Sequence, residues 1–394
     1  MKAIVVCCDR IPTRLLGCYG AEWVETPQLE RLASRGAVFD ALYAEALVEG
    51  AFADEFVARL AEASGAPRIG LISDRAMRRG SASAGRHWKS VAARDEPSVD
   101  DVPLDRVLSD PQRRVPPVSH AEFKRWTARW RRQLARDDAN EPTPDSCESL
   151  FAHGAAWWDE HAHHDNAVLW LDVALAEADW IPPRHWRDRR QEEEAPLSLL
   201  DPAPGRVGEL YLPEDAERVA LGWADRLGYF DALLGAFVQS IEDSTDEAPL
   251  VIFTAEQGEP VGEHGAIGPF AGAGYEERLQ LPLVAVHPAI EKTARRSALM
   301  SRGDAAGRLA AAIGAAKVEF LLQRPSAERW GLVSHSDGAT TLTTHEWRLI
   351  EFDKDRVELY SRPEDRGDMN DLSQRTPGVV DRLQETLANL GATT

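Results

Sequence analysis

Apolar runs alternate with amphipathic stretches along most of the chain. Ala3-Ile4-Val5-Val6-Cys7-Cys8 is an unbroken apolar run that ends at Asp9-Arg10, and it predicts a buried parallel strand. Arg68 to Asp74, Asn166 to Ala174, Pro249 to Thr254 and Leu281 to Val286 read the same way, and Ala37 to Phe39 reads as a short strand. Helical patterns lie between them. Thr26-Pro27 places a hydroxyl at the cap and Pro at the first turn; Leu29, Leu32 and Ala33 share a face, and Gly36 stops the helix. Glu55 to Ala63 and Pro213 to Glu242 are further predicted helices. This alternation predicts an α/β fold, a mainly parallel sheet sandwiched by helices. Ligands in such folds sit at the carboxyl ends of the strands.

After about residue 330 the pattern changes. Short strands around Gly331 to Ser334, Ala339 to Thr343, Glu346 to Phe352 and Val357 to Tyr360 follow closely, and a helix from Pro377 to Leu390 closes the chain. The expected organisation is an α/β domain over 1–325 and a small antiparallel sheet with a helix over 326–394.

Charge refines this picture. The 394 residues carry a net charge of −20, which argues against polyanionic partners: no nucleic acid and no membrane surface. The N-terminal apolar run is too short for a secretory leader, and adjacent Cys7 and Cys8 suit a reducing compartment, so the expected location is cytoplasmic. The charge is uneven. Residues 75–136 hold 15 Lys or Arg against 7 Asp or Glu, a net of +8 that leaves the remainder near −28. Most of this basic insert has little periodicity. Its end, a helix over 120–135, carries Phe123, Trp126, Trp130 and Leu134 as a stripe among Lys124, Arg125, Arg129, Arg131 and Arg132. That helix either binds an anion or a partner, or is an amphipathic element docked on its own acidic body.

Four ordered stretches carry a family resemblance. Asp9, Leu16-Gly17-Cys18-Tyr19-Gly20 and Thr26-Pro27-Gln28-Leu29-Glu30-Arg31-Leu32-Ala33 form the first. Leu250-Val251-Ile252-Phe253-Thr254 running into Gly258-Glu259 and Gly262-Glu263-His264-Gly265 is the second. Tyr275-Glu276-Glu277 with Pro282-Leu283 is the third, and Trp347-Arg348-Leu349-Ile350, Glu358-Leu359-Tyr360 and Asn370-Asp371-Leu372 the fourth. Together they resemble the sulfatases, the arylsulfatase-like branch of the alkaline phosphatase superfamily.

The resemblance implies sulfate-ester hydrolysis by a formylglycine made from Cys or Ser in a C/S-x-P-S-R motif. It also implies a calcium ion held by carboxylates and an amide. This sequence departs from that pattern. The nucleophile position falls on Glu49, in Leu47-Val48-Glu49-Gly50-Ala51, which cannot become formylglycine. Asp9 matches the first metal ligand, Arg10 stands where many members have a second Asp, and Glu256-Gln257 replace an Asp-Asn pair. The histidine expected after the central strand falls near Glu177. The candidate site is therefore Asp9, Glu256 and Gln257 for a divalent cation (calcium or magnesium), Arg10, Glu177 and His264 toward substrate, His264 as an acid, and Glu49 at the nucleophile position. The tract His161-Ala162-His163-His164-Asp165 is a second metal candidate, with a solvated loop as its alternative. None of the four cysteines stands where a nucleophile is needed.

The leading expectation is a catalytically impaired sulfatase homologue, a pseudoenzyme that binds or scaffolds a protein partner or a small anionic ester. The first alternative is an active metal-dependent hydrolase of sulfuric or phosphoric esters with a rebuilt site. The second is a structural protein that interacts through the basic helix 120–135.

Overall fold

A computed structural model describes residues 1–48, 50–63, 67–75, 82–83, 86–91, 102–109, 120–138, 145–176, 181–187, 189, 197–200, 202, 204–269, 272, 274–323, 330–352 and 356–391. The elements that place the site are β1 (Ala3–Ile11), α1 (Pro27–Arg35), β2 (Ala37–Phe39), α2 (Ala51–Ala63), β3 (Arg68–Ser73) and β4 (Lys89–Ser90). Then follow α3 (His120–Asp138), α4 (Ser146–His161), β5 (Ala167–Val173), α5 (Pro213–Ser244), β6 (Leu250–Gly258), β7 (Leu283–Val286), β8 (Ala294–Arg296) and α6 (Arg302–Ala315). The C-terminal unit contains β9 (Gly331–Ser336), β10 (Ala339–Thr344), β11 (Trp347–Phe352), β12 (Val357–Ser361) and α7 (Pro377–Gly391).

Eight strands form the central sheet in the order β8-β2-β7-β6-β1-β5-β3-β4. The pairs β6-β1, β1-β5, β5-β3 and β3-β4 are parallel, and β7 runs antiparallel to both of its neighbours. The expected mainly parallel sheet is present, with one reversed strand. The apolar runs at its centre are buried on both faces, which is why they read as continuous rather than alternating. On one face Ile4, Val6 and Cys8 pack with Phe151, Phe230 and Phe237 of α4 and α5. On the other, Val5 and Cys7 pack with Phe52, Phe56 and Leu309 of α2 and α6.

Two local signals work differently from their sequence reading. Thr26 precedes α1, but its hydroxyl accepts from Gly17 N at 3.0 Å instead of capping the helix. Asp231 of α5 caps it, accepting from Gln28 N at 2.9 Å and Leu29 N at 2.8 Å. Gly36 ends the helix with an extended backbone; a Cβ there would lie 2.1 Å from the Ala285 carbonyl oxygen. Helix α2 opens at Ala51, four residues before the expected Glu55.

The C-terminal strands form an antiparallel meander, β9-β10-β11-β12, and Leu383 and Leu387 of α7 pack on Leu342, Leu349 and Leu359. The junction expected at 325/326 lies outside the described residues, as does much of the basic insert. Helix α3 spans the predicted basic helix. Its Trp130 and Leu134 pack with Val102, Val107, Ile181 and Leu200 of the same chain. The four cysteines are free and buried, and no described helix is long and apolar enough to cross a membrane.

Candidate functional site at the strand ends

Register brings the site together from four strands. Cys7 of β1 pairs with Asp172 of β5 on one side and Thr254 of β6 on the other, and Asp172 pairs with Ser73 of β3. Ser73, Asp172, Cys7 and Thr254 thus form one row across the sheet. Side chains two residues on point to the same face. The next row is therefore Arg75, Ala174, Asp9 and Glu256, all buried at the carboxyl ends of the strands.

Each charged group in these rows has a partner. Arg75 donates to Asp172 Oδ1 at 3.0 Å, and Ser73 Oγ donates to Asp172 Oδ2 at 3.0 Å. Asp9 Oδ1 accepts from Ala176 N at 2.8 Å, while its buried Oδ2 has no hydrogen bond. Glu256 reaches the start of α2, where its two oxygens accept from Phe52 N at 2.9 Å and Ala53 N at 3.2 Å. These are the otherwise orphaned N–H groups of a helix N-terminus, which favour an anion. Arg302 of α6 lies 3.9 Å from Glu256. Burial, with the charge of Asp172, pushes the Glu256 carboxyl up, against the Phe52 hydrogen bond and the guanidiniums of Arg302 and Arg75.

Arg10 and Gln257 pair in register one residue further along β1 and β6. Arg10 Nε donates to Glu259 Oε2 at 2.9 Å. Burial pushes Glu259 up to about 7 although Arg10 opposes the shift. A divalent cation fits this donor set poorly. Among the described residues no three His, Cys, Asp or Glu side chains are grouped to hold a metal ion. Of the three ligands expected, Glu256 commits both oxygens to α2, and Asp9 has one oxygen left. Glu49 and Glu177 lie outside the described residues. In the histidine tract, His161 Nδ1 is 2.9 Å from the Trp157 carbonyl oxygen, and the rings of His163 and His164 stand 3.9 Å apart.

His264 occupies a left-handed backbone position (φ 48°) in the Gly-Glu-His-Gly turn. Both ring nitrogens are engaged: Nδ1 lies 2.9 Å from Glu277 Oε1 and Nε2 lies 2.8 Å from the Asp368 carbonyl oxygen. The ring stacks on Tyr275 at 3.6 Å. Burial opposes its charge, but the Glu277 carboxylate and the Asp368 carbonyl outweigh burial and raise it to about 9. His264 is thus an imidazolium that ties the turn to the C-terminal unit. Its stabilisation is complete below the unfolded value near 6.5 and is lost as pH rises through about 9. Urea midpoints measured from pH 6.5 to pH 10 should fall by an amount worth up to about 3 kcal/mol, and His264→Gln should flatten that slope. An identical slope in the variant would assign the pH dependence elsewhere.

Beside the strand ends lies a cavity of about 690 Å³. Thr13 and Arg14 after β1, Glu259 and Glu263 after β6, and Arg362 and Arg366 of the C-terminal unit are among its lining. Arg14 pairs with Glu263, and Arg362 pairs with Glu276 at 2.7 Å.

Local sequence assigns no site role to Arg75, Asp172 or Arg302, and marks Glu259 only as part of a family motif. Asp172 did carry a signal, a lone carboxylate inside the apolar run Ala167-Val168-Leu169-Trp170-Leu171-Asp172-Val173, which must be paired if buried. Arg75 falls at the start of the basic insert, and only its burial in the fold sets it apart there.

No protein-family model matches the chain, and no curated protein matches it by sequence. Solved structures do match over nearly the whole chain. A protein solved in complex with its substrate D-glucosamine-2-N,6-O-disulfate is 15% identical with a TM-score of 0.64, over 98% of this chain and 97% of that one. The phosphonate monoester hydrolase of Agrobacterium radiobacter is 14% identical with a TM-score of 0.64, over 100% and 95%. A sulfatase candidate from Bacteroides thetaiotaomicron is 14% identical with a TM-score of 0.59, over 98% and 91%. Identities this low speak for architecture and not for activity. The chain shares its fold with solved structures described as a phosphonate monoester hydrolase and as a sulfatase.

Proposed function

We propose that this chain is a sulfatase-like protein that does not hydrolyse esters and acts by binding. One observation carries the reading: the Glu256 carboxylate sits on the N–H groups of Phe52 and Ala53. That helix end is where the resemblance puts the nucleophile, and a resident carboxylate competes there with an incoming sulfate or phosphate. Arg10, Arg75 and Arg302, which could have received an anion, face Glu259, Asp172 and Glu256 instead. The cavity beside the strand ends supports a small-molecule binding role, because it is concave and lined by both acids and guanidiniums.

The rival reading, an active metal-dependent ester hydrolase, draws on one feature, the unbonded Oδ2 of Asp9. Purified chain should give no turnover of an aryl sulfate, an aryl phosphate or a phosphonate monoester with calcium or magnesium present. Turnover that disappears in Asp9→Ala would sink the proposal and favour the rival.

A further inference from the structure

We propose that Arg75 is the built-in cation of this site: its guanidinium takes the place of a divalent metal ion among Asp9, Asp172 and Glu256. The inference stands whether or not the chain turns over an ester.

The argument begins with placement. Asp9 and Glu256 are adjacent on β1 and β6, Asp172 lies one row back on β5, and all three face the same side of the sheet. Three buried carboxylates on one face repel each other and need a counter-charge. Arg75, itself 1% exposed, extends from the end of β3 into this group and is bonded to Asp172 at 3.0 Å. Burial works against the charge of Arg75, yet the charges of Asp172, Asp9 and Glu256 outweigh it and raise its pKa. Without the guanidinium, Asp9 Oδ2 and the Asp172 oxygen that it releases are donors of the kind a hard cation takes.

Room and charge both favour one occupant. A guanidinium and a divalent ion held by the same carboxylates would repel strongly in a site sealed from water. Arg302 adds a second positive charge on the far side of Glu256. The buried acids Asp9, Asp172, Glu256 and Glu259 are matched by Arg10, Arg75, Arg226 and Arg302, with Arg10 and Arg226 both acting on Glu259. Asp9 Oδ2, which makes no hydrogen bond, is a single oxygen and does not by itself neutralise a divalent ion.

The test uses the full chain, elemental analysis and thermal unfolding. Native protein should purify without stoichiometric calcium, magnesium or other divalent metal. Its midpoint should move by less than about 1 °C between EDTA and millimolar calcium or magnesium chloride. Arg75→Met, which keeps bulk and removes charge, should unfold about 5–10 °C lower in EDTA and regain part of that loss with calcium or magnesium, but not with sodium chloride. Arg75→Lys should remain close to native and indifferent to metal. If Arg75→Met does not fold, the native chain and Arg75→Lys decide the matter: indifference of both supports the inference. About one equivalent of metal in native protein, a native midpoint that rises with calcium or magnesium, or an Arg75→Met variant that is as stable as native or blind to both cations overturns it.

Discussion

Arg348→Met is expected to cost roughly 3–5 kcal/mol of stability, because it leaves two buried carboxylates without their shared cation. Arg348 is fully buried in β11. It donates to Asp368 Oδ2 at 2.7 Å, pairs with Glu276, and lies over the Tyr43 ring at 5.2 Å. Glu276 in turn accepts from Tyr43 Oη at 3.1 Å and from Arg362 at 2.7 Å. Burial works against its charge, but the two guanidiniums hold the Glu276 carboxyl below the usual range. Tyr43 and Glu276 belong to the α/β body, while Arg348, Arg362 and Asp368 belong to the C-terminal unit, so this network joins the two. A buried network of this kind is worth most when complete and costs most when one member is removed. Arg348→Lys should retain part of the loss, since an ammonium cannot reproduce the forked pairing. Arg356→Met is the control: Arg356 pairs with Glu358 at 63% side-chain exposure, and its removal should cost no more than about 1 kcal/mol. Urea unfolding of the three variants checks the ranking. A loss below about 1 kcal/mol for Arg348→Met would mean that the network adds little to the junction.

The second large effect belongs to Glu256. Glu256→Ala should destabilise the chain by about 3 kcal/mol, from two lost bonds to the start of α2 and an uncompensated Arg302. Glu256→Gln should lose less, since one amide oxygen can still accept from Phe52 or Ala53. The alanine variant also reopens a helix N-terminus beside Arg302. Sodium sulfate should therefore stabilise it more than it stabilises the native chain at equal ionic strength, as the vacated N–H groups take up the anion. Equal sulfate gains in both proteins would show that Glu256 does not fill an anion site. This experiment bears on the proposed function too, because a binding-only protein needs this carboxylate only for its fold. If Glu256→Ala acquired ester turnover, the native carboxylate would be acting as a block on latent chemistry.

Local pattern was enough for the elements and for the order of the layers. The run from Ala3 to Cys8, the Asn166 to Ala174 strand and the Pro213 helix all appear where the periodicity places them, and the closing meander follows the short strands. Burial of a strand or a helix face leaves a mark in the residues that form it, so adjacent positions carry the information. The four ordered stretches resemble the sulfatases although no family model matches the chain, and solved structures described as a phosphonate monoester hydrolase and a sulfatase share its fold.

What the charged residues do was not legible in the same way. A strand period says which face Asp9 takes, but not that Ala176 supplies its hydrogen bond or that Arg75 faces it across Ala174. Arg75 and Asp172 are 97 positions apart, Glu256 and Phe52 are 204, and Arg10 and Glu259 are 249. Thr26 carried the signal of a cap that Asp231 of α5 supplies. His264 read as a proton donor, and both of its nitrogens proved to be taken by residues from elsewhere in the chain. A carboxylate or imidazole has the same local signature whether it meets a metal, a substrate or an arginine. Its role depends on which charge the folded chain sets against it, and that is a property of packing between distant segments.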